Sequence, residues 1–152
     1  MSATLKKIEL PLLDNDGTPA TGEALELAKN YWRMRRDGRE ITEAMQAKAA
    51  EYDFPNQLDT ADLLKKLVER AINPQAGMPF SEIEKTRVVI DQIEATGLGG
   101  AILMPVDAWK FVCEKVRLPY LATYNRAFDV FVQSVLSAPD VPVAEVVPNT
   151  GT

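Results

Sequence analysis

The chain has 152 residues, a net charge of -5, one cysteine, Cys113, and no histidine, so no imidazole can carry a proton and a zinc site would have to be built almost wholly from carboxylates. With 46% apolar and 26% charged residues it has the composition of an ordinary globular protein with one well-formed core. The acidic balance argues against a general nucleic-acid binder, the single thiol against an internal disulfide, and no apolar stretch reaches the roughly 18 to 20 residues that cross a bilayer.

The start, Met1 to Lys7 followed by Ile8-Glu9, carries no apolar signal core, so the protein is expected in the cytoplasm of the producing or infected cell, with a virion as the other location. Ile8, Leu10 and Leu12 then alternate with Lys7, Glu9 and Pro11, the two-residue period of a half-buried strand, which Pro11 restricts to an edge. Asp14-Asn15-Asp16-Gly17-Thr18-Pro19 reads as a tight turn. Thr21 is placed to cap a helix with Ala24, Leu25, Ala28, Tyr31 and Trp32 among its apolar positions, ended by Asp37-Gly38. A second helix runs from Thr42 to about Tyr52, where Phe54-Pro55-Asn56 breaks the pattern.

The third helix, capped by Asp59 or Thr60, sets Leu63, Leu64, Leu67, Val68, Ala71 and Ile72 on one stripe and stops at Asn73-Pro74. Ser81 and Glu84 have the spacing of a capping box, so a fourth helix turns Ile83, Val89, Ile90 and Ile93 toward the core and closes at Gly97. Ala101 to Met104 predicts a short strand, and Pro105 opens a fifth helix with Val106, Trp109, Val112, Cys113 and Val116 at helical spacing. Pro119 separates it from a last helix lined by Leu121, Tyr124, Phe128, Phe131, Val135 and Leu136. From Pro139 onward composition favours a free tail, although the alternation of Val141, Val143 and Val146 also suits a strand added to a partner. The expected fold is mainly α: a compact bundle of about five to six helices with a short N-terminal β element. One domain spans residues 1–138, with 1–20 as a strand-and-turn lead-in, and an extended, flexible tail covers 139–152.

The strongest candidate site is the partner-binding set Lys29, Tyr31, Trp32, Arg33, Arg35, Arg36 and Arg39, which gathers five of the 17 basic residues around two aromatics. Such a patch suits an acidic protein surface, or phosphates with the rings stacked on bases. Thr21 to Tyr52 has the proportions of a helix-turn-helix, but its second helix carries Glu40, Glu43 and Glu51 against Lys48 and would repel the groove it must enter. A purely structural role, with Trp32 and Leu25 facing the core and the arginines paired elsewhere in the fold, carries more weight than either.

Other motifs resolve into plain structure. Asp14, Asp16, Gly17 and Glu23 have calcium-loop spacing, but Leu12 occupies the first ligand position. Gly97-Leu98-Gly99-Gly100 follows a helix and lacks a Gly-Lys-Ser or Gly-Lys-Thr, so it reads as a helix stop and flexible link. Glu82, Glu84, Asp91 and Glu94 read as a solvated helix face whose carboxylates keep similar pKa values and cannot divide acid and base roles. Cys113 reads as a buried, inert thiol. No catalytic residue, metal ligand set or cofactor is read from the chain.

The segment Leu12-x-Asp14-x-Asp16-Gly17-Thr18-Pro19, the run Leu63-Leu64-Lys65-Lys66-Leu67, the helix start Ser81 to Arg87, and Ile102-Leu103-Met104 ahead of another helix together resemble the layout of small uncharacterised bacteriophage proteins. The resemblance implies a phage-encoded accessory protein that binds a host or phage protein, and it carries over no catalytic residues. The expected function is non-enzymatic protein-protein interaction, modulating a host or defence protein or assisting virion assembly. The alternatives are a virion structural component and a helical nucleic-acid-binding regulator using the Lys29 to Arg39 patch; homo-oligomers are compatible with either.

Overall fold

The alternation of Ile8 with its polar neighbours does make a strand, but that strand lies in the middle of its sheet. The structure, a computed structural model, describes residues 4–52 and 57–143, with Trp32 and Arg36 described in backbone only. In chain order the elements are β1 (Thr4–Glu9), β2 (Leu12–Leu13), α1 (Gly22–Arg36), α2 (Glu43–Tyr52), β3 (Leu58–Asp59), α3 (Thr60–Val68), α4 (Phe80–Thr96), β4 (Ala101–Met104), α5 (Val106–Val116), α6 (Arg126–Leu136) and β5 (Asp140–Pro142). The fold is mainly α, with six helices and two small sheets among the described residues. None of these helices is long and apolar enough to cross a membrane.

β1 pairs antiparallel with β4 on one side, Lys6 opposite Met104 and Ile8 opposite Ile102, and with β5 on the other, Leu5 opposite Val141. Pro11 does not force an edge because it falls after the strand, in the break before β2. There its carbonyl accepts bonds from the Thr60 hydroxyl (2.5 Å) and the Thr60 N–H (3.3 Å). The glycine link after α4 is tied to the same sheet: the Gly99 N–H donates to Leu10 (2.7 Å) and the Leu10 N–H to Gly100 (2.9 Å).

The tail expected from residue 139 begins instead as β5. Lys6 explains why: its ammonium lies 3.2 Å from Asp140, donates to the Ala138 carbonyl at 3.2 Å and sits 4.4 Å from the centre of the Trp109 ring. A cation held by a carboxylate, a carbonyl and a ring face ties the chain end to β1 and α5. Val146 and the rest of 144–152 lie outside the described residues, as does the expected break at Phe54-Pro55-Asn56.

Helix boundaries follow local chemistry. Thr42 accepts from the Met45 N–H (3.2 Å), Asp59 from Asp62 (3.0 Å) and Asn125 from Phe128 (2.9 Å), so the ends of α2, α3 and α6 are set by side-chain caps. The Ser81–Glu84 capping box does not form. α4 starts two residues earlier, at Phe80, where the Pro79 carbonyl takes the N–H groups of Glu82 (3.0 Å) and Ile83 (3.1 Å). α3 ends at Val68, leaving Ala71 and Ile72 beyond its stripe.

The main core joins Ile8 and Ile102 of the sheet to Leu64 and Val68 of α3, Val89 and Ile93 of α4, Val112 and Val116 of α5, and Phe131 and Val135 of α6. A smaller cluster of Leu12, Ala28, Tyr31 and Ala49 holds the α1–α2 pair, and Leu98 packs against both. Within the main core lies an ion pair. Lys115 is fully buried, its ammonium 2.6 Å from Glu82 Oε2, and it also donates to the Arg70 carbonyl. Glu82 accepts a second bond from the Ile72 N–H (3.0 Å), and the ammonium stands 5.1 Å from the centre of the Phe111 ring. Glu82 therefore leaves the solvated set in which its sequence neighbours place it: it is buried, whereas Glu84, Asp91 and Glu94 are exposed.

Taking two charges out of water costs several kcal/mol per ion, and attraction offsets this only when remaining hydrogen-bonding positions are filled. Burial would push the Glu82 carboxyl up, but the Lys115 ammonium and the Ile72 N–H together hold it below the usual carboxylate range. Lys115→Met, which strands the carboxylate, is expected to lower unfolding stability by about 3–5 kcal/mol in urea titrations, and Glu82→Met/Lys115→Met to recover most of the loss. The pH dependence follows from the lowered folded value. The stabilisation is complete above the ordinary glutamate value of about 4.3 and disappears as the pH falls through the depressed one. Acid titrations should show a shallower decline in Glu82→Gln than in the unaltered protein.

Candidate partner-binding surface

α1 carries the basic and aromatic residues singled out by composition, and the fold divides them. Tyr31 is 7% exposed and belongs to the smaller core cluster. Its hydroxyl accepts from Arg35 Nη1 (3.3 Å), whose guanidinium stands 5.8 Å from the ring centre. Lys29 pairs with Glu26 at 3.6 Å. Arg33 and Arg39 are exposed, and the side chains of Trp32 and Arg36 lie outside the described set. Between α1 and α2 is a shallow pocket of about 360 Å³ that Tyr31, Arg35 and Ile41 help to line. A ring packed between two helices is no platform for a base, so Tyr31 serves the α1–α2 contact.

The Asp14–Gly17 segment closes on its own backbone. The Gly17 N–H donates to the Asp14 carbonyl (2.9 Å) and the Thr18 N–H to Asp16 (3.0 Å), while Asp14 takes the Gln57 amide at 2.8 Å. Gly17 has φ +85°, and a Cβ there would come within 2.6 Å of Val130 on α6. The turn therefore packs directly onto the last helix.

Sequence periodicity missed the most exposed aromatic surface among the described residues. α5 ends at Val116 and α6 does not begin until Arg126, because Pro119 interrupts the chain and Asn125 caps the new helix. Leu121 and Tyr124, expected on the apolar face of the last helix, instead stand in the connecting loop with Tyr120, at 49%, 72% and 101% exposure. The Tyr124 hydroxyl donates to Asp129 at 2.9 Å, which anchors the ring's polar end to α6. Arg117 and Arg126, both exposed, flank the loop. The signal that could have marked this surface was Asn125 three residues before Phe128, an N-cap spacing that ends the backward extension of the apolar stripe.

Alongside the loop, the outward face of α5 forms a groove of about 260 Å³ lined by Trp109, Lys110, Cys113, Glu114 and Arg117, with Leu136 from α6. The Trp109 indole N–H donates to the Val135 carbonyl at 2.8 Å, and Lys6 covers one face of the ring. Burial pushes the Cys113 thiol up, against the pull of Arg117 and Lys6, so at neutral pH it is a protonated apolar group. The chain matches no protein-family model, no curated protein and no solved structure.

The division between packed and presented aromatics is measurable. Tyr31→Ala should lower unfolding stability by about 3 kcal/mol, the range for emptying a buried aromatic site. Tyr120→Ser/Tyr124→Ser should change it by no more than about 0.5 kcal/mol per site in the same urea titration.

Proposed function

We propose that this chain is a non-enzymatic protein that works by binding another protein, and that the loop between α5 and α6 is its main contact. The observation that carries the reading is the placement of Tyr120, Leu121 and Tyr124 in solvent within five consecutive residues. One exposed apolar side chain is ordinary, but a tyrosine-rich cluster left outside the core is the composition of an interface anchor. Tyrosine offers large contact area with few rotatable bonds, and the Tyr124–Asp129 bond fixes part of that area in advance.

Three features support a role without catalysis. The sequence has no histidine, the Cys113 thiol is held protonated by burial, and the buried Glu82–Lys115 pair spends its hydrogen-bonding capacity on the core. The resemblance to small bacteriophage proteins frames the partner as a host or phage protein, with the chain as modulator, assembly factor or virion component. Arg33 and Arg39 keep a nucleic-acid reading in second place, since both are exposed on a segment that composition makes basic.

The test is affinity capture from nuclease-treated lysate of the producing cell, read by mass spectrometry, with the unaltered chain beside Tyr120→Ser/Tyr124→Ser and Arg33→Glu/Arg39→Glu. The expected result is a stoichiometric protein that survives nuclease, stays with the arginine variant and is lost with the tyrosine variant. Nucleic acid recovered without nuclease and lost with the arginine variant would overturn the reading.

A further inference from the structure

The groove on the outer face of α5 sets two cations that have no carboxylate partner among the described residues at the border of an apolar floor. Of the nine lysines in the sequence, Lys6, Lys7, Lys29, Lys48, Lys65, Lys66 and Lys115 each pair with a carboxylate, and Lys85 lies 5.8 Å from the centre of the Phe111 ring. Lys110 has neither kind of partner among the described residues, although it stands exposed at the groove. Arg117, exposed at the other end, likewise has no ion pair among the described residues. Arg33, Arg39, Arg70, Arg87 and Arg126 are exposed without a carboxylate partner among the described residues as well, but they line neither this groove nor the pocket between α1 and α2, whereas Lys110 and Arg117 both border this apolar groove. At Lys110 and Arg117 an incoming carboxylate displaces only water.

The floor between these cations is apolar and fixed. Trp109 is locked by its bond to Val135 and by Lys6 across its face, and Cys113 and Leu136 complete the surface. Lys110 and Arg117 are seven residues apart on α5, which is two turns and about 10 Å along the axis. In an extended chain, side chains on one face recur every second residue, so two flexible acidic side chains four residues apart, with backbone positions about 13 Å apart, can reach both cations with an apolar residue midway. We infer that this groove takes an acidic segment of the protein partner, with carboxylates about 10 Å apart meeting Lys110 and Arg117 and an apolar side chain between them seated on Trp109, Cys113 and Leu136. The inference rests on the protein-binding reading and extends its contact from the tyrosine loop, which begins immediately after Arg117, along α5. Glu114 is the carboxylate that lines the groove; it repels an acidic segment placed off register and so helps to fix which way the segment lies.

The probe is a fluorescein-labelled synthetic peptide with two glutamates four residues apart and a phenylalanine midway, so that all three side chains leave an extended chain on one face. Its controls carry Gln or Lys for Glu, or Ala for Phe. Fluorescence anisotropy with the full chain should show binding of the acidic peptide that weakens with added salt, falls about tenfold or more in Lys110→Glu/Arg117→Glu and fails with the lysine peptide. Equal binding of the Glu and Gln peptides, or an acidic peptide indifferent to the charge reversal, overturns the inference. The two readings separate on the captured partner. Should it be retained by Lys110→Glu/Arg117→Glu and lost by Tyr120→Ser/Tyr124→Ser, the groove inference fails and protein binding through the loop stands. Should both variants retain it, both fail.

Discussion

One ion pair sets how the helices of the main core face one another. Glu82 on α4 and Lys115 on α5 meet at 2.6 Å, and each is also bonded to the chain just after α3, through the Ile72 N–H and the Arg70 carbonyl. Three helices thus share one junction. Neither charge can be left alone in an apolar interior, so this junction tolerates little rotation or sliding of α5. At 100° per residue, turning Lys115 inward also turns Val112 and Phe111 inward and carries Lys110, Cys113 and Arg117 to the other side of the helix. The groove is the reverse face of the buried pair.

That constraint also accounts for where the sequence was readable. Stripes such as Leu64, Leu67 and Val68, or Phe131 and Val135, announce helices because periodicity and burial have the same local cause. The short strand at Ala101–Met104, the start of the second helix near Thr42 and the cap at Asp59 were legible for the same reason. Interactions between residues far apart in the chain were not. Glu82 and Lys115 are 33 residues apart, and Lys6 reaches Ala138 across 132. A lysine amid Glu114 and Val116 looks like any solvated lysine until its partner is known, and Pro139 looks like the start of a free tail until β1 is seen to lie beside it.

The candidate site was legible only in part, and for opposite reasons at its two ends. Composition draws attention to Tyr31 and the arginines around it, but cannot tell a presented ring from one packed against Ala28 and Ala49. Leu121 and Tyr124 continue the spacing of the last helix backward, so they look like core until Asn125 is seen to start that helix after them. The result is a molecule whose obvious basic patch is half structural and whose proposed binding surface lies around the end of α5. In that proposal the tyrosines outside the core would supply contact area, and Lys110 and Arg117 beside the groove would orient an acidic partner.

The central claim is that the chain binds a protein through the end of α5 and the loop that follows. Hydrogen–deuterium exchange by mass spectrometry, with and without the captured partner, tests it most directly because it maps contact without altering a residue. The account predicts slowed exchange in the 117–125 loop, extending into α5, with the Arg33 to Arg39 segment unchanged. Protection confined to Arg33 to Arg39, with the loop exchanging as fast as in the free protein, would contradict it.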